Sequence, residues 1–257
     1  MVEGPTAKAY AIRICENFRD EVIHDVYVRS RRVFIPINEL LGRKFTGADS
    51  LGKNILIFFD DIAIRLHLMM FGAIHVYGRD EPLLKPMERV RLMLTGGCRK
   101  LVVYNAPIVE IGGLNDIVEN LKASLGPDPL SSEWSEDRAI ENILKNPNEK
   151  IGVLLLNQST IAGVGNILRN EILFRAGVNP ERRISDLSMD EIRKIAYYTK
   201  KLSEEFLSLK LQGKGIKELL KVYNRFSGFC MVCGGPIKFY RQKPINRKTF
   251  ICINCQK

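Results

Sequence analysis

Two cysteine pairs near the end of the sequence constrain its fold more than any other feature. Cys230-Met-Val-Cys233 and Cys252-Ile-Asn-Cys255 stand 18 residues apart, the spacing class of a four-cysteine zinc site. Each CxxC turn sets two thiolates on one side of a tight loop, and two such loops complete a tetrahedron around a metal. Two disulfides are the alternative. A chain kept in a reducing compartment holds its thiols free, so one structural Zn2+ is expected. Gly234-Gly235-Pro236 supplies a turn, and residues 237–240 and 248–251 read as the two strands of a ribbon. Cys15 and Cys98 lack such spacing and are expected to be small buried hydrophobes.

The same end of the chain carries the charge. Of 39 Lys+Arg and 29 Asp+Glu, residues 200–257 hold 13 and 3, so the whole net +10 lies there and residues 1–199 balance to zero. A basic segment of this kind meets a polyanion, nucleic acid first among them. A solubilising lysine-rich surface is the plainer alternative. A hydrophobic content of 46% argues against wholesale disorder. No apolar run approaches the roughly 18 residues that span a bilayer, and the start MVEGPTAKAYAIR lacks the pattern of a signal peptide. Neither a membrane nor a secreted protein is expected, and the cytoplasm is the expected location.

Three regions follow from the periodicities. Residues 1–112 open with a helix, in which Tyr10, Ile14 and Phe18 recur every four residues, and continue as strands at 26–37, 53–59, 63–72, 89–95 and 99–105. Val90, Leu92 and Leu94 alternate before Gly96-Gly97, which marks a hairpin. The pattern is that of an antiparallel sandwich or barrel. Residues 113–222 turn helical: Ala139, Ile140, Ile143 and Leu144 form one helix ending before Pro147, and Ser188 with Glu191 makes a capping box for another. Between them, Ala162-Gly163-Val164-Gly165 is a glycine turn feeding a helix from Asn166 to Gly177. Free N–H groups at such a start suit a phosphate, and a packing turn would serve as well. Residues 223–257 form the ribbon.

These pieces together resemble the Fpg/Nei DNA glycosylase/AP lyases, and within them the endonuclease VIII branch. The residues that carry the resemblance are Glu3-Gly4-Pro5, Gly52-Lys53, AGVGNILRNEILFRAGVNP at 162–180, Val222-Tyr223-Asn224-Arg225, and Arg247-Lys248-Thr249-Phe250-Ile251-Cys252. The resemblance implies an α+β chain of three domains: an N-terminal β-sandwich, a helix-two-turn-helix domain and a zinc ribbon. It implies a monomer acting on damaged DNA, double- or single-stranded, in base excision repair. With Met1 removed, the α-amine of Val2 has a reference pKa of roughly 7.7–8.0 and is partly neutral near pH 7. It could then displace a damaged base at C1′ and form a Schiff base. Glu3 is implied as general acid and base on the sugar. Lys53 is implied to assist β-elimination, Arg247 δ-elimination, and Asn166 to hold a backbone phosphate. The base must be flipped out of the duplex. Taken singly, Glu3 could be a solvated terminal carboxylate, Lys53 a strand-edge lysine and Arg247 one basic ribbon residue among many.

Departures bear on substrate. Most of the family begins with proline, whereas Val2 offers a primary amine, so a slower lyase is expected. After Tyr104 the sequence Asn105-Ala106-Pro107 lacks the Arg and Phe with which Fpg enzymes fill the vacated space. Met69, Met70 and Phe71 are the wedge candidates here, and a place for the two methionines in the core is the alternative. Fpg enzymes carry a long glycine-containing loop that closes over 8-oxoguanine; only GKGIKELLK precedes Val222-Tyr223 here, so the resemblance implies that this lid is absent. Oxidised pyrimidines, with hydantoins next, become the expected lesions. The rival reading is a catalytically weakened or inactive DNA-binding protein on the same scaffold.

Overall fold

The computed structural model describes residues 2–226 and 228–257. Met1, whose removal the amine reading requires, lies outside the described residues. By compactness the chain separates into two units, Val2 with Thr6–Ala123, and Glu3–Pro5 with Ser124–Lys257.

The opening helix, α1 (Gly4–Asn17), presents Ala7, Ala11 and Ile14 to the interior of the first unit, followed by Phe18 beyond its end. Nine strands follow: β1 (Asp25–Val28), β2 (Arg32–Val33), β3 (Gly47–Leu51), β4 (Asn54–Phe59), β5 (Ile62–His67), β6 (Ala73–Gly78), β7 (Val90–Thr95), β8 (Arg99–Tyr104) and β9 (Ile108–Gly113). They form two sheets, of order β1-β7-β8-β6 and β2-β9-β5-β4-β3. Ile55, Ile57, Phe59, Ile64 and Leu66 of one sheet and Leu92, Leu94, Leu101 and Val103 of the other share a single core. Each such side chain taken from water contributes about 1.5–3 kcal/mol. β7 alternates as its sequence predicts, with Val90, Leu92 and Leu94 buried. All pairings are antiparallel except β2 with β9, which is parallel.

Several expectations are corrected. The run 26–37 is not one strand: β1 belongs to the first sheet and β2 to the second, because Ser30 Oγ donates to the Val109 carbonyl and carries the chain across. The run 63–72 stops as a strand at His67. Met69 adopts a left-handed φ of +48°, and Gly72 N–H donates to the Leu68 carbonyl at 3.0 Å, which closes a turn. Cys98 is exposed, since it sits in the β7–β8 turn, where its N–H donates to the Glu21 carboxylate at 3.1 Å. Cys15 is half-buried.

The second unit holds α3 (Glu136–Leu144), α4 (Ile151–Leu154), α5 (Asn166–Ala176) and α6 (Met189–Leu211), and it follows α2 (Leu114–Ser124). Both halves of the capping box at Ser188 and Glu191 are formed. Gly177, left-handed at φ +73°, ends α5. A long apolar core joins α3, α5 and α6 through Ile143, Leu168, Ile172, Ile195 and Phe206. The ribbon strands β10 (Ile237–Gln242) and β11 (Arg247–Cys252) pair antiparallel and pack Ile237, Phe250 and Cys252 with Phe174 of α5. Among the described residues, no helix is long and apolar enough to cross a membrane.

Candidate active site and metal centre

The N-terminus of α5 organises the second unit. Its first N–H groups have no partner within the helix. The N–H groups of Ile167 and Leu168 donate to the Glu3 carboxylate, at 2.7 Å to Oε1 and 3.1 Å to Oε2. Glu3 is 0% exposed. An anion at a helix N-terminus is what the aligned peptide dipoles favour, so a carboxylate can be buried there with its hydrogen bonds satisfied. Of the two readings of the glycine turn, a phosphate seat or a packing turn, the first leaves these donors free. They are taken by the chain's own carboxylate instead, and the reading of Glu3 as a solvated terminal residue is excluded. Gly4 N–H donates to the Gly163 carbonyl at 2.9 Å and pins the segment that carries Glu3. Gly165 sits at φ −113° and ψ −168°, a conformation open to any residue. Space decides its identity: a Cβ there would fall 2.3 Å from Glu3 Cδ.

Further along α5, polar side chains face the ribbon. Asn166, 5% exposed, donates from Nδ2 to the Lys248 carbonyl at 2.9 Å. Arg169 is fully buried and donates to the Gly152 carbonyl (3.0 Å), Gln242 Oε1 (2.7 Å), the Lys248 carbonyl (3.1 Å) and Thr249 Oγ1 (2.7 Å). Burial pulls its guanidinium down to about 10. Asn170 Oδ1 accepts from Phe250 N–H at 2.8 Å. The Glu171 carboxylate accepts from the N–H groups of Lys221, Val222 and Tyr223 at 2.8–3.0 Å. Arg169, Asn170, Glu171 and Gln242 were not singled out from sequence. The available signal was the run Asn166-x-x-Arg169-Asn170-Glu171, four polar residues near the start of a helix whose only other polar side chain is Arg175. Arg247 opens β11, exposed, beside the turn that joins the two ribbon strands.

In the first unit, Val2 N–H donates to the Met69 carbonyl at 3.0 Å, and the Val2 side chain is buried in the sandwich core. Met69, Met70 and Phe71 stand in the turn after β5 and are 46%, 52% and 77% exposed, so the alternative that the methionines are core is excluded. Lys53 lies in the β3–β4 turn, close enough to His67 that its charge, after burial and together with Arg65, holds the imidazole below its ordinary range.

The four cysteines come together. Their sulfurs all lie within 4.8 Å of one another, with Cys230 to Cys255 at 3.8 Å and Cys233 to Cys252 at 3.5 Å. A tetrahedron with Zn–S bonds of about 2.3 Å has edges of ~3.8 Å, whereas a disulfide needs about 2.05 Å. The donor set therefore fits one thiolate-ligated metal. Gly235 N–H donates to Cys233 Sγ at 3.4 Å, which pulls that thiol down to about 7.

Comparison with known proteins agrees with this architecture. Residues 1–105 match the formamidopyrimidine-DNA glycosylase N-terminal domain and residues 125–218 the formamidopyrimidine-DNA glycosylase H2TH domain, together more than three quarters of the chain. Formamidopyrimidine-DNA glycosylase of Syntrophomonas wolfei is 29% identical over 86% of this chain and 85% of its own. Endonuclease 8-like 3 of Xenopus laevis is 28% identical over 86% of this chain, which spans only 36% of that longer protein. Among solved structures, Lactococcus lactis formamidopyrimidine-DNA glycosylase bound non-covalently to DNA containing an AP site superposes with a TM-score of 0.87. It covers 99% of both chains at 23% identity, a likeness that shows the fold.

Proposed function

Since the chain belongs to the formamidopyrimidine-DNA glycosylase family, whose members are bifunctional DNA glycosylase/AP lyases, we propose that it excises oxidised bases through a Schiff base formed by the α-amine of Val2. The observation that carries this reading is the buried Glu3 carboxylate, next in sequence to Val2 and held by two N–H groups of α5. In this scheme the neutral amine attacks C1′ as the bond to the base breaks and the base leaves with a proton; the C1′–O4′ bond then opens with protonation of O4′, and the resulting imine activates the sugar for elimination of the 3′ and then the 5′ phosphate. Glu3 relays the protons on the sugar. By family resemblance, Lys53 assists the first elimination and Arg247 the second, while Asn166 contributes to the backbone-phosphate contact. Met69 and Met70, exposed on a tight turn, fill the space left by the flipped base.

Oxidised pyrimidines are the proposed lesions, with hydantoins next, in double- or single-stranded DNA, the chain acting as a monomer in the cytoplasm. The absence of a lid sequence before Val222 supports that choice. A binding-only role is not favoured, because affinity for DNA does not call for a carboxylate sunk at a helix end.

Borohydride trapping on DNA with an abasic site tests the chemistry. A chain beginning at Val2, verified by mass spectrometry, should crosslink, and one carrying an extra N-terminal residue should not. Failure of the first to crosslink would show the imine assignment to be wrong. In the same assay thymine glycol should be released faster than 8-oxoguanine, and the opposite order removes the lesion assignment.

Cys230, Cys233, Cys252 and Cys255 would hold one structural Zn2+, which ties the ribbon's two turns together. Chelation should release one zinc per chain and weaken DNA binding by at least about tenfold, since the ribbon and its approach carry the whole net charge. Zinc content by mass spectrometry and fluorescence anisotropy read the two effects. Unchanged affinity in the metal-free chain contradicts the assigned role of the ribbon.

A further inference from the structure

Residues 1–199 carry as many acidic as basic side chains, so any local excess there is a matter of placement. One such excess occurs in a cavity of about 530 Å³ lined by Arg29, Ser30, Arg31, Arg32, Arg91 and Pro107, with no acidic side chain on its wall. The segment from Arg29 to Arg31 links β1 to β2 and is well fixed. Arg29 N–H donates to the Arg91 carbonyl at 2.9 Å, and its guanidinium to the Glu88 carbonyl. Ser30 Oγ accepts from Arg32 N–H at 3.1 Å while donating to Val109. Among the described residues, the guanidinium groups of Arg31, Arg32 and Arg91 have no hydrogen-bond or ion-pair partner, and Arg91 Nε is buried without one. Glu110, opposite Arg32 in the β2–β9 pair, is committed to Arg65 at 2.9 Å.

Four like charges around one concavity repel one another, and a buried donor left without an acceptor is costly. An oxyanion relieves both, and the planar guanidinium fork matches phosphate oxygens two at a time. We propose that this cavity is a phosphate-oxyanion site, additional to the residues assigned to the reaction. Two sources share that chemistry: the backbone of a DNA strand and a free oligophosphate. The DNA source rests on the functional reading above; the free-anion source does not.

The test uses Arg31→Ala/Arg32→Ala, whose two side chains are exposed and bond to no other residue, with thermal unfolding as the check on folding. Binding of undamaged duplex is measured over a series of salt concentrations. Each lost phosphate contact lowers the slope of log affinity against log salt by about 0.9, so the double variant should lose ~1.8. Tripolyphosphate is titrated in parallel, and it should raise the unfolding temperature of the unsubstituted chain but not of the variant. A reduced slope assigns the site to DNA. Tripolyphosphate stabilisation that vanishes in the variant, with the slope unchanged, assigns it to a free anion. An unchanged slope together with equal tripolyphosphate response in both chains overturns the proposal. An unsubstituted chain that binds no DNA overturns the functional reading, while the tripolyphosphate titration still decides the site. Should the double variant fail to fold, Arg31→Gln alone should lower the slope by about 0.9.

Discussion

Gly165→Ala should lose at least about 100-fold in base excision, the order of effect that a 1 Å misplacement of a reacting group produces. Backbone conformation gives no reason for this, because Gly165 is extended and alanine adopts that geometry freely. The added methyl would stand 2.3 Å from Glu3 Cδ and 2.5 Å from Oε1. Glu3 is fully enclosed, so its carboxylate can yield only by leaving the N–H groups of Ile167 and Leu168. Overpacking of this kind costs about 1–3 kcal/mol, small enough for the chain to remain folded and for the loss to be read as activity. Glu3→Gln is the companion variant: it keeps the shape, loses the proton relay proposed for Glu3, and should be at least as inactive. Single-turnover release of thymine glycol measures both. Wild-type rates in Gly165→Ala would mean that the seat of Glu3 does not matter to the reaction.

The second large effect is expected at Arg169. Arg169→Met fills similar volume but removes every donor that reaches Gln242 Oε1 from α5, together with the bonds to the Gly152 carbonyl and Thr249 Oγ1. Acceptors left buried and unpaired cost about 1–3 kcal/mol each and do not add fully. A net loss of about 3–5 kcal/mol is expected, a fall on the order of 10 °C in unfolding temperature. Lys248 keeps its bond from Asn166, so β11 is loosened rather than freed. Circular dichroism on heating, with zinc present throughout, reads the effect. An unfolding temperature within about 2 °C of wild type would mean that the buried network contributes nothing net, as happens when a polar cluster merely breaks even against apolar packing.

What the sequence made legible is what local chemistry controls. The paired CxxC turns, the apolar repeat of α1, the capping box at Ser188 and the glycine that ends α5 each act within a few residues, and the chain folds there as read. The strands β3, β6 and β9 escaped because their sequences, GADSL, AIHVYG and IVEIGG, mix small and polar residues and show little alternation. The turn at 68–72 was read as strand because Leu68, Met69 and Met70 are a continuous apolar run. Its left-handed Met69 is set by the tight turn that Gly72 closes onto Leu68. The partner of the α5 N-terminus lies more than 160 residues earlier in the chain, and no periodicity connects Glu3 to Ile167. The polar face of α5 was equally hidden, because a run of Asn, Arg and Glu on a helix ordinarily signals a surface. Here the ribbon and the segment before it cover that face.

α5 is also a ruler. It grips Glu3 at Ile167 and Leu168, and β11 at Asn166, Arg169 and Asn170. The rise of about 1.5 Å and turn of ~100° per residue then fix both the axial and the angular offset between the Glu3 carboxylate and the strand that Arg247 opens. A substitution along this stretch removes the bonds of one side chain and leaves the spacing of the others intact. A residue inserted or deleted between Asn166 and Glu171 would instead swing one set of partners about a quarter-turn away from the other. Within those six residues the chain's length is therefore as constrained as its side chains are.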